Sequence, residues 1–281
     1  MPGENENLVA NEVTTKLTAP SVERAALIAP SRNPSPKTEA GSYRIRFAET
    51  REDLEAAYRL RFLVFNLELG EGPETAYQDG YERDEFDEVC DHLLVEDTRS
   101  RQIVGTYRLQ TGITAARNLG YYSAREFDFT PYEPLRGKLV ELGRACIHRD
   151  HRSFEVLTLL WRGIAAYAQE RSARYLVGCS SLTSQLPTEG SAIYSQLQNF
   201  LVEPSLRTVP LPEYQFPVGE HGSRCCELRP PRLLRAYLSI GARICGAPAI
   251  DRAFKTIDFL TLLDLEAMYS GAKARFLGGA K

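Results

Sequence analysis

From Tyr43 the chain alternates: Tyr43, Ile45 and Phe47 are separated by single arginines, the spacing of a half-buried strand. Leu54, Tyr58, Phe62 and Phe65 then recur at helical spacing, with Arg61 one turn before Phe65. Past a polar stretch from Glu68 to Glu88, His92 to Glu96 and Ile103 to Leu109 read as strands joined by a hairpin turn at Asp97 to Ser100. Leu139 to Ile147 reads as another strand. Phe154, Leu157, Trp161, Ile164 and Ala168 mark one long amphipathic helix with Trp161 in the core, and Tyr175 to Cys179 resumes strand character. Strand, helix, strand is a crossover unit, whereas the preceding hairpin is antiparallel. The pattern predicts an α/β (α+β) fold with a mixed, largely antiparallel sheet flanked by helices.

The two ends read differently. Residues 1–42 carry five prolines among Glu, Asn, Ser and Thr without apolar periodicity, so they are expected to form a disordered tail. Residues 190–201 are expected to form a helix and 203–220, with Pro204, Pro210, Pro212 and Pro217, a loop. From Pro230 the chain reads as helical. The expected organisation is a core over 43–228 and a basic, helical C-terminal extension over 229–281 packed on it. The chain start is acidic and lacks the apolar run of a secretory signal, and no 18-residue apolar stretch exists. Cytoplasmic residence, with peripheral contact at the inner membrane surface, is the expectation.

Charge changes the picture by its distribution. The net charge of −3 does not favour nucleic acid, yet Glu68 to Asp97 holds 12 acidic residues and one basic one, while Arg229 to Lys281 holds nine basic and four acidic. Such segregation offers one site to a cation and another to an anion, or simply two solvated faces. The six cysteines lack C-x-x-C spacing, so neither a disulfide framework nor a zinc site is expected. No P-loop, dinucleotide fingerprint, EF-hand spacing or nucleophile elbow is present.

The most informative segment is Val140 to Ile147, because Glu141 and Arg144 are costly inside an apolar strand unless partnered. They read either as a buried ion pair or as a general base and an anchoring cation. Strict alternation puts them on opposite faces, so cooperation predicts a bulge near Gly143. His148 to Ser153 then leads into the long helix, whose free amides beside arginines suit a phosphate.

Arg61-x-x-x-Phe65, Asp84-x-x-Asp87, Gly105-Thr106-Tyr107-Arg108-Leu109 and Glu141-x-x-Arg144, in that order, resemble a GNAT-fold N-acyltransferase of the ornithine-lipid and hemolysin-like branch. The layout is similar to acyl-homoserine-lactone synthases and N-acyl amino acid synthases, and the resemblance covers residues 43 to about 260. No tryptophan stands between Phe65 and Asp84, which argues against lactone chemistry, and His148 to Ser153 replaces the glycine-rich loop of coenzyme A-dependent enzymes.

The resemblance therefore implies acyl carrier protein as partner, bearing the acyl group on phosphopantetheine, with no bound cofactor and no metal. It implies transfer of a 3-hydroxy fatty acyl group to the α-amine of an amino acid, ornithine first, as the opening step of ornithine lipid synthesis. Glu141 is then the expected base, and amides at the bulge the oxyanion donors. Asp84 and Asp87 would meet the acceptor's cationic groups and Arg108 or Arg144 its carboxylate. Arg61 would order the two aspartates, Phe65 belongs to the substrate site, and Arg149, His151, Arg152 and Ser153 would hold the phosphopantetheine phosphate. Arg229, Arg232, Arg235 and Lys255 would rest against anionic lipid. Another acceptor, such as glycine or tyrosine, or a non-catalytic acyl-carrier or lipid-binding module, stands as the alternative.

Overall fold

The computed structural model describes residues 39–216 and 228–274. The first described element is β1 (Glu39–Ala40), which pairs with β2 (Tyr43–Phe47) and lies inside the expected tail of residues 1–42. The rest of the expected tail, Cys225 and Cys226, and residues 275–281 lie outside the described residues. Thr50 opens helix α1 (Arg51–Arg61) with a capping box closed by Asp53, the geometry that satisfies free N-terminal amides. The helix then widens into π-helical turns over Phe62–Glu68. Strands β3 (Asp91–Asp97) and β4 (Gln102–Thr111) form the expected hairpin.

A short helix α2 (Gly112–Arg117) leads to β5 (Leu139–Ile147), then α3 (Phe154–Glu170) and β6 (Tyr175–Leu182). Helix α4 (Pro187–Gln196) stands a little before its expected span. Beyond it, α5 (Arg232–Ile240) is followed by β7 (Arg243–Ile244), β8 (Ala249–Asp251) and β9 (Thr256–Asp264). The sheet runs β1-β2-β3-β4-β5-β6-β9-β7, with β8 also on β9, and each pairing is antiparallel except β5 with β6. Val156, Leu159, Leu160 and Ile164 of α3 pack on Ile45, Leu93, Val95 and Leu109 of the sheet. Trp161 is 5% exposed in that core, as its spacing predicts.

The C-terminal region corrects the sequence reading. Two helices, α5 and a short one at Ser270–Lys273, are described there, whereas β9 lies inside the sheet between β6 and β7. The described residues beyond 228 thus complete the core and do not form a helical extension on it. The cause is burial on both faces: Ile257, Phe259, Leu260, Leu262 and Leu263 are all under 5% exposed, so the apolar positions do not keep a period of two.

The feature that positions the site is the break between β5 and β6. Their parallel pairing covers Leu139↔Tyr175, Val140↔Leu176 and Glu141↔Val177 and then ends, although both strands continue. At the junction a Cβ on Gly178 would stand 2.2 Å from the Leu142 carbonyl oxygen, so only glycine allows the approach. Gly178→Ala is expected to cost about 1–3 kcal/mol through forced backbone movement. A thermal melt checks it, and an unchanged midpoint would show that the junction tolerates a side chain.

Candidate active site

Where β5 and β6 part, a cavity of about 620 Å³ opens between Leu142 to Ile147 on one side and Cys179 to Ser181 on the other. The widened turns after α1 bring Val64, Phe65 and Leu69 to its wall, and Arg152 and Ser153 at the start of α3 and Arg232 at the start of α5 also line it. Phe65, expected in the substrate site, lines this cavity.

The bulge in β5 is present but displaced by one residue. Thr106 pairs with Cys146 and Arg108 with Gly143, so Arg144 and Ala145 together oppose Tyr107. Arg144, not Gly143, takes the positive φ of 50°. A side chain in that region is strained and persists when its surroundings hold it. Here they do: Arg144 donates to Glu82 at 3.0 Å, Asp84 at 2.8 Å and the Tyr122 hydroxyl at 3.2 Å, and its guanidinium lies over the Tyr122 and Phe254 rings.

Arg144 is one member of a closed ring in which three guanidiniums alternate with three carboxylates. Arg61 grips Asp87 with two bonds of 2.8 Å and donates to Glu82. Arg108 joins Asp87 at 3.0 Å and Asp84, and Arg144 links Asp84 back to Glu82. Burial alone would raise the Asp87 carboxyl, but Arg61 and Arg108 hold it well below the usual range. Asp84 is lowered likewise against burial, by Arg108 and Arg144. Burial pushes His92 down to about 4, so this neighbour adds no charge at neutral pH.

The ring reassigns several expected roles. Asp84 and Asp87 are occupied by arginines and do not face an acceptor as free carboxylates. Arg108 and Arg144, expected to take the acceptor's carboxylate, have carboxylates of this chain on their forks, although both line the cavity. Arg61 orders Asp87 as expected but touches Glu82 where Asp84 was anticipated. Glu82 was missed because one acid among twelve in an acidic loop carries no local signal.

Glu141 also differs from expectation. Its carboxylate accepts from the Gln110 side chain at 2.6 Å and from the backbone N–H groups of Tyr122 at 2.8 Å and Ser123 at 2.7 Å. Three donors engage it, so from the cavity wall it holds the Tyr122–Ser123 turn against the sheet. Of the residues expected at the phosphate, Arg152 is bound bidentately by Glu68 at 2.6 and 2.8 Å, and Ser153 caps α3 through Val156. His151 bonds the Tyr43 hydroxyl at 3.0 Å and Arg149 lies 3.9 Å from Asp150, and neither lines the cavity. Among the described basic residues further on, Arg229, Arg232 and Arg235 are exposed and Lys255 pairs with Glu74. No described helix is long and apolar enough to cross a membrane.

A sheet split at its parallel pair over a cavity, with residues 60–162 matching the acetyltransferase (GNAT) domain model, defines the class: this is a GNAT-type acyltransferase. An L-ornithine N(alpha)-acyltransferase of Brucella abortus (strain 2308) is 35% identical over 254 residues, covering 83% of this chain and 90% of its own length. The enzyme of that name from Agrobacterium fabrum is 33% identical, over 85% of this chain and 86% of its own. The solved structure of FeeM, an N-acyl amino acid synthase from uncultured soil microbes, superposes with a TM-score of 0.49 at 13% identity, covering 80% and 93% of the two chains. The chain belongs to the family of these L-ornithine N(alpha)-acyltransferases.

Proposed function

We propose that this chain transfers a 3-hydroxy fatty acyl group from acyl carrier protein to the α-amine of ornithine, the first step of ornithine lipid synthesis. The observation that carries the reading is the cavity at the β5–β6 break, which is large, mostly apolar and open along unpaired strand backbone. Val64, Phe65, Leu69, Leu157 and Leu234 offer the acyl chain a wall. The thioester lies along β5, where amides beside the Arg144 bulge donate to the oxyanion that forms when the amine attacks. The carrier thiol then leaves, and no acyl-enzyme is involved.

The phosphopantetheine arm enters between the starts of α3 and α5. Ser153 and Arg152 belong to that mouth, and exposed Arg232 and Arg235 offer the acidic carrier a cationic rim. The same rim suits an anionic membrane surface, where a lipid product partitions. Glu141 supports the site by holding its turn. Mass spectrometry after incubation with 3-hydroxyacyl carrier protein and an equimolar amino acid mixture tests the reading. The acyl mass is expected on ornithine. Its appearance on glycine instead would replace the acceptor, and tight carrier binding without acylation would favour a binding module.

A further inference from the structure

The same cavity holds a second group of acids, and it differs in kind from the ring. Asp258 of β9, Asp251 of β8 and Glu71 line the cavity, and Glu126 lies behind Asp258. Glu126 is 2% exposed, Asp258 4%, Glu71 5% and Asp251 6%. Among the described residues none of the four has an Arg or Lys ion partner. Asp251 accepts from the amides of Ala253 and Phe254, and Glu71 from the Thr183 hydroxyl. By contrast Glu126 Oε2 and Asp258 Oδ1 are buried with no hydrogen-bond donor, as is Ser180 Oγ on the same cavity.

Buried carboxylates without a counter-charge are costly, and a fold that retains several beside a cavity is arranged to receive a cation there. We propose that Asp258 and Glu126, with Asp251 and Glu71 beside them, bind the side-chain ammonium of a dicationic amino acid acceptor. The identity of the ligand rests on the acyltransfer reading; the cationic preference rests on the four carboxylates. An ammonium brings three N–H donors and one positive charge, which match the unpartnered oxygens Glu126 Oε2 and Asp258 Oδ1.

The electrostatics agree. Burial, then Asp258 and Asp251, raise the Glu126 carboxyl well above its ordinary range, with Arg144 a lesser opposing influence. Asp258 is raised by burial and Asp251 against the Ser181 hydroxyl, and burial with Asp258 brings Glu71 to about 7. Binding a cation therefore expels protons to solvent. Cys179, within 4.8 Å of Glu126 and Asp258 through its sulfur, completes a trio that a divalent metal could also use. Burial and the two acids keep it as a thiol bonded to Ser123, which favours the ammonium.

Titration calorimetry on the full-length chain, in two buffers of different ionisation enthalpy at pH 7, compares ornithine with norvaline, which has the same carbon chain and no side-chain ammonium. The wild type is expected to bind ornithine about ten- to a hundredfold more tightly and to release protons on doing so. Glu126→Gln and Asp258→Asn are expected to bring the two affinities to within about threefold without lowering the melting temperature, because each replaces a buried carboxyl that has no cationic partner with a neutral amide of the same shape. Variants that keep the preference for ornithine would overturn the site, as would ornithine binding abolished by a chelator and restored by zinc or manganese. If ornithine is acylated yet the variants keep the preference, the site fails and the acyltransfer reading stands. If the preference depends on Asp258 but no amino acid is acylated, the site stands and the acyltransfer reading fails.

Discussion

Arg61→Met is expected to destabilise the protein by about 3–5 kcal/mol at neutral pH, enough to unfold much of it at 37 °C. Methionine fills similar length but leaves Glu82 and Asp87 buried without the guanidinium that bonds both. Arg61 is itself wholly buried, so water cannot replace what is removed. Arg108 and Arg144 would each face carboxylates freed from the third arginine, and the strained backbone at Arg144 depends on those carboxylates. Urea denaturation of the full chain at pH 7 checks the result. Unchanged stability would mean that the ring is not what holds the acidic loop to the sheet.

The ring also sets an acid limit. Asp84 and Asp87 have carboxyl groups held below their ordinary value, so they contribute stability above the unfolded value of about 4. Below it the unfolded chain takes up protons while the folded aspartates stay ionised. Stability is therefore lost as pH falls through about 4 and continues to fall toward the folded values. Glu71 acts in the opposite sense, because its folded carboxyl is raised to about 7 and its penalty grows between about 4.5 and 7. Arg61→Met should flatten the acid limb, whereas Glu71→Gln should leave it in place and raise stability near pH 7.

Glu141→Ala is expected to lower turnover about a hundredfold or more and to cost about 2–4 kcal/mol, the two effects moving together. Removing the carboxylate strands the Tyr122 and Ser123 amides and the Gln110 amide in a buried place. Tyr122 touches Arg144 and Ser123 touches Cys179, so a displaced turn disturbs the bulge and the far side of the cavity at once. Glu141→Gln separates two roles. A base would lose turnover with an unchanged melting temperature, whereas a residue that holds the turn loses both, since the new NH₂ faces N–H donors. Retention of more than a tenth of turnover in the alanine variant would dismiss Glu141 from the site altogether.

Much of the molecule was legible along the chain because local rules wrote it. The alternation at Tyr43 to Phe47 and the helical spacing of Phe154 to Ala168 depend on one face meeting one core. The four motifs pointed to the right family because the side chains they carry converge from α1, the acidic loop, β4 and β5. The strand at Thr256–Asp264 escaped because it is buried on both faces, so its apolar positions do not alternate.

What the sequence determined by itself was the order of elements through β6, the acyltransferase class and the list of charged residues that had to be partnered. Which charge partners which was decided only in three dimensions. Charge along a chain shows that a carboxylate exists, but its role depends on whether an arginine reaches it. Asp84 and Asp87 have arginines and became structure. Glu126 and Asp258 lie 132 positions apart in sequence, meet where β9 passes the Ser123 turn, and have no described cation on them. Long-range pairing assigned the acids of the loop to the fold and left those across the cavity open to a ligand.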